Sequence, residues 1–107
     1  MPGTVAITPQ VRWSAASWLF DLTVNTLAAE VPDPALAAVL RDIVGENLGW
    51  FAVHELTAVQ RAEITTAAEQ RLLTDVADKL PPALAERSRA LSLVADLVQL
   101  LRSHPPT

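Results

Sequence analysis

Cysteine and tyrosine are absent from this 107-residue chain, glycine occurs three times, and there is neither a run of basic residues nor a membrane-length apolar stretch. Without cysteine there is no disulfide framework and no thiolate zinc site, a composition suited to a reducing cytosol. Glycines at 3, 45 and 49 cannot make a glycine-rich phosphate loop. The Gly45-x-x-x-Gly49 spacing matches a pattern for close helix packing that carries little weight outside membranes. The eight basic residues are scattered and the net charge is −4, so the electrostatic footprint of a nucleic-acid binder is missing and a basic partner is favoured. The most apolar segment, 91–101, is about half the ~20 residues of a membrane span and contains Asp96. Residues 1–7 lack the basic-then-apolar pattern of a signal peptide. A soluble, cytoplasmic protein with no membrane partner is expected.

Catalytic motifs are equally scarce. Helical bundles hold metals with Glu-x-x-His pairs, and none occurs; His54 is the sole histidine inside the expected domain, with Glu46 eight residues before it. The serines have no nucleophile-elbow context. The sequence therefore predicts a non-enzymatic protein without metal or cofactor.

What is present is a helical composition, half apolar and rich in Ala, Leu and Val. Prolines at 2, 9, 32, 34, 81, 82, 105 and 106 leave uninterrupted blocks of 22, 46 and 22 residues at 10–31, 35–80 and 83–104. Because proline costs ~3 kcal/mol inside a helix, these blocks predict a single-domain, all-α, antiparallel up-down-up-down four-helix bundle with helices at about 9–30, 34–54, 58–80 and 82–102. Residues 1–7 and 103–107 would be frayed tails. Thr8-Pro9 and Asp33-Pro34 read as helix caps followed by proline at the first helical position, and Thr57 with Gln60 as a capping box. Leu36, Val39, Leu40, Ile43, Trp50 and Phe51 share one face at 100° per residue, which argues for a second helix continuous through both glycines.

Two faces hold more apolar surface than a peripheral bundle helix needs. The first helix carries Trp13, Phe20, Val24 and Leu27 opposite a second stripe, and the last carries Leu93, Leu97 and Leu100 beside its main one. The surplus means either fuller enclosure or an interface, and a homodimer or partner surface on those seven residues is the sharper expectation. A mean hydropathy of +0.27 is high for a small soluble monomer and points the same way. Polar Asn47, Thr65 and Glu69 on otherwise apolar stripes, with Trp18, Trp50 and Phe51, outline an alternative ligand pocket between helices 2 and 3.

The functional expectation is a small acidic adaptor or accessory subunit acting through protein contact, of the kind found as immunity or defence-system partners. The runner-up is a small-molecule-binding helical bundle. Seven arginines against one lysine suggest GC-rich coding and a bacterial source.

Overall fold

Residues 2–16 form a hairpin rather than the start of a helix, and the architecture is α+β, not an all-α four-helix bundle. The computed structural model describes residues 2–104. Strand β1 (Pro2–Ala6) pairs antiparallel with β2 (Arg12–Ala16) and parallel with β3 (Trp50–Ala52), giving the order β2-β1-β3. The helices are α1 (Ser17–Glu30), α2 (Pro34–Gly45), α3 (Ala58–Ala67), α4 (Leu73–Lys79) and α5 (Arg87–Ser103). A π-helical segment (Ala68–Leu72) joins α3 to α4, and a 3-10 turn (Val53–Glu55) follows β3. Among the described residues no helix is long and apolar enough to cross a membrane.

The hairpin overturns the expected helix at 9–30, and the cause lies in Thr8. Its hydroxyl oxygen accepts from the backbone N–H groups of Gln10 and Val11 at 3.2 and 3.0 Å, the contacts a helix cap would make. Here they close a turn, and the N–H of Ile7 meets the Val11 carbonyl at 2.9 Å to start the ladder. Downstream, exposed Arg12, Ser14 and Ala16 alternate with buried Trp13 and Ala15, the period of a strand with one wet face. The segment expected to fray at 1–7 thus supplies the central strand. At the other end α5 reaches Ser103, and residues 105–107 of the expected tail, like Met1, lie outside the described residues.

The expected second helix, 34–54, stops at Gly45. The N–H of Leu48 bonds the Ile43 carbonyl and that of Asn47 the Val44 carbonyl, both at 3.0 Å, with Asn47 left-handed at φ 53°. This is a Schellman stop with Asn in the place usually given to Gly. Gly49, at φ 65°, completes the reversal, and its carbonyl accepts from the N–H of Thr4 at 2.9 Å as β3 joins the sheet. The expected fourth helix at 82–102 begins five residues late, because turns closed by Leu84 on Pro81 and by Arg87 on Leu84 intervene. Thr57 and Gln60 form the reciprocal capping box at the start of α3.

Packing follows from this arrangement. Gly3, Val5, Trp13, Ala15 and Phe51 turn one sheet face inward against α1, whose Leu19, Phe20, Val24 and Leu27 are buried. The sheet, α2 and the α3–π–α4 rod pack on α1, so the face of Phe20, Val24 and Leu27 is enclosed, while Trp18 and Ala29 of the other stripe stay exposed and Leu22 is half-buried. Thr4, Ser14 and Trp50 lie on the outer face, where the Arg12 guanidinium stacks 5.2 Å from the centre of a Trp50 ring.

Candidate functional site

Helix α1 ends on a carboxylate in the worst place for one. Glu30 occupies the last position of the helix, where the partial charge of the backbone carbonyls is negative, and its side chain is only 5 % exposed. Among the described residues no N–H or hydroxyl donates to either oxygen. Its nearest cation, the Arg71 guanidinium from the π segment, stands with Nε 4.0 Å from Oε2, beyond hydrogen-bond reach, and is itself 68 % exposed. Arg71 is shared with Asp75 of α4, 3.5 Å away.

Burial, and then the neighbouring Asp75 carboxylate, push the Glu30 pKa up to about 7, against the pull of Arg71 and Lys79. When protonated, Glu30 donates to Asp75, and that bond, with Arg71, holds Asp75 below the usual carboxylate range. Among the described residues a charged Glu30 is therefore only partly compensated, by Arg71 and Lys79, and by no hydrogen-bond donor. Such a group is stabilised by a donor brought from outside.

Glu30 opens onto a groove of about 460 Å³ between the α1–α2 turn and the α3–π rod. Its apolar walls are Pro32, Val59, Ala62 and Ala67, with Glu63, Thr66, Gln70 and Arg71 as polar lining. Val59 is 71 % exposed, an apolar side chain left in water at the rim. Glu63 is anchored: its Oε1 accepts from the N–H of Asp33 at 3.0 Å, which pins the α1–α2 turn to α3. The volume lies within the ~300–1,000 Å³ of ordinary ligand clefts, and a π turn is a frequent companion of binding sites.

The residues expected at an interface take different positions. Trp13, Phe20, Val24, Leu27 and Leu97 are buried in the chain's own core. Leu93 and Leu100 are half-buried. The six residues of the alternative pocket do not surround one cavity. Phe51 is core and Trp50 lies on the outer sheet face. Asn47 is the helix stop, and Glu69 pairs with Arg102 at 3.5 Å. Trp18, 43 % exposed, stands between two shallow clefts at α5 and the Pro81 turn, while Thr65 lines a groove with His54. Glu30, Glu63, Arg71 and Asp75 escaped sequence reasoning. The available signal was an acidic residue closing an apolar last turn, Leu27-Ala28-Ala29-Glu30, against the helix dipole.

Among the described residues no three His, Asp or Glu side chains are grouped to hold a metal ion. The chain matches no family model, no curated protein and no solved structure.

Proposed function

We propose that this chain is a non-catalytic interaction module whose acidic groove receives a basic side chain, flanked by an apolar residue, from a partner protein. One observation carries the reading: the Glu30 carboxyl is almost wholly buried, has no donor among the described residues, and Glu30 is one of the residues that line a groove open to solvent. A lysine or arginine from outside would supply the missing donor, and its aliphatic stem would lie on Pro32, Val59 and Ala62. The net charge of −4 favours approach of a basic partner. A cytoplasmic adaptor or immunity-type role suits this size and acidity, and the partner surface is then the groove rather than the enclosed Phe20–Val24–Leu27 face of α1.

The test is a titration monitored by backbone amide shifts, using a short amidated peptide with one arginine between leucines. Its norleucine-for-arginine counterpart and butylguanidinium serve as comparisons. The arginine peptide is expected to move the Val59, Ala62 and Thr66 amides saturably, the norleucine peptide to leave them in place, and Glu30→Gln to abolish the response. Equal affinity for butylguanidinium alone would make the site one for small amines. Silence from all three would refute the groove as a cation site.

A further inference from the structure

The opposite side of α3 carries the reverse problem, a half-buried cation with no anion among the described residues. At about 100° per residue, Arg61 projects about 160° away from Glu63 around the helix. Arg61 is half-buried, its Nε is shut off from solvent with no acceptor, and among the described residues it makes no ion pair or side-chain hydrogen bond. A guanidinium is always charged and offers five donors, so leaving its buried Nε–H unmatched is costly.

Arg61 lines a second groove, of about 330 Å³, enclosed by the β1–β2 turn, the 3-10 turn, α3 and the end of α5. Both histidines of the chain line it, His54 and His104, while among the described residues no carboxylate side chain does. In a chain with twelve acidic residues against eight basic ones, that is a marked segregation. The His104 Nδ1–H donates to the Leu100 carbonyl at 2.9 Å, which fixes the ring and leaves Nε2 able to donate to an anion when the ring carries a second proton. The Thr8 hydroxyl oxygen accepts two backbone N–H groups, so its own hydrogen is left to donate. Buried Ile7, Val53 and Leu101 supply apolar lining.

We infer that this groove is a binding site for the phosphate or carboxylate group of a small organic anion, held by Arg61, His54 and His104 with its apolar body over Ile7 and Leu101. The anion provides the countercharge that Arg61 does not find among the described residues. This site is separate from the Glu30 groove, and neither proposal depends on the other.

The experiment compares phenyl phosphate, benzoate and the neutral benzyl alcohol as titrants, read from the amide shifts of Thr8, His54 and Thr65. At least one of the anions is expected to saturate these shifts while benzyl alcohol leaves them unmoved, and the tighter of the two identifies phosphate or carboxylate as the preferred group. Arg61→Gln should weaken that anion roughly tenfold or more, since a charge-assisted hydrogen bond is lost. Should Arg61→Gln fail to fold, His104→Gln, at an exposed helix end, takes its place and should weaken binding by a factor of a few. No saturable shift with either anion would overturn the inference. So would an equal response to benzyl alcohol, or unchanged affinity in both folded variants.

Discussion

The indole Nε1–H of Trp13 donates to the Leu93 carbonyl oxygen at 2.7 Å, joining strand β2 to helix α5 across 80 residues of chain. Trp13 is 4 % exposed, so the contact combines a buried hydrogen bond with a large buried ring. Replacing Trp13 by Phe keeps an aromatic ring but removes the donor and part of the volume, at a cost of about 1–3 kcal/mol in urea denaturation. Trp13→Glu places a charge in the core and should unfold the chain, seen as lost far-ultraviolet dichroism. A folded Trp13→Glu protein that merely halves its mass in light scattering would instead assign this residue to a subunit interface.

Two glycines give opposite outcomes for one substitution. A Cβ at Gly3 would stand 2.1 Å from Phe20 Cγ, inside a ring that is itself fully buried, so the strand approaches α1 as closely as backbone allows. Gly3→Ala forces Phe20 or β1 to move and should cost about 1–3 kcal/mol, the usual range for overpacking. At Gly45, the last residue of α2, nothing lies within 4 Å of the added carbon. Gly45→Ala should stabilise by about 0.4–1 kcal/mol through the unfolded chain. Thermal melts of the two variants, displaced to opposite sides of the parent, check both.

How far the fold was legible can be judged from Thr8 and Trp50. Thr8-Pro9 announces a hydroxyl that captures the next N–H groups, and it does so, but the same contacts serve a helix cap and a hairpin turn. The deciding information was the alternation of burial through Arg12–Ala16, which covers five residues and is masked by helix-favouring alanines. Trp50 and Phe51 fell on the helical stripe of α2 by angular coincidence, whereas in the fold they point to opposite sides of a strand. Caps that need only local partners, Asp33 on Ala35 and Thr57 with Gln60, could be read directly. The site could not, because Glu30 acquires its character from Arg71 and Asp75, more than forty positions away.

Asn47 supplies a test of the boundary that separates α2 from β3. Its φ of 53° is strained for any side chain except Asn, Asp or Gly, and it ends the helix where β3 must begin. Asn47→Gly should leave stability unchanged or slightly raised. Asn47→Val should lose about 1–2 kcal/mol, the penalty of a branched side chain in the left-handed region. If both variants melt together, the left-handed turn is not what stops α2.

Glu30 ties stability to pH with a definite sign. Its pKa rises from an ordinary 4.5 to about 7 on folding, chiefly by burial and secondarily through Asp75. Between these values the folded chain holds a proton that the unfolded chain has released, so stability falls as pH rises through this window and levels off above it. At 1.36 kcal/mol per pKa unit the loss is at most about 3 kcal/mol. Asp75 is shifted downward, so its contribution is lost only in acid, as pH falls below the ordinary carboxylate range, and it does not mask the effect. Urea midpoints should therefore decline from pH 5 to pH 8 in the parent protein and stay level in Glu30→Gln, with the variant the more stable at pH 8. A parent midpoint that is flat across this window would show that the carboxylate already has its countercharge, and the same result would remove the reason for expecting a partner's cation in the groove. A basic peptide seated there supplies that charge, so its stabilising effect should be larger at pH 8 than at pH 5, a difference absent from Glu30→Gln.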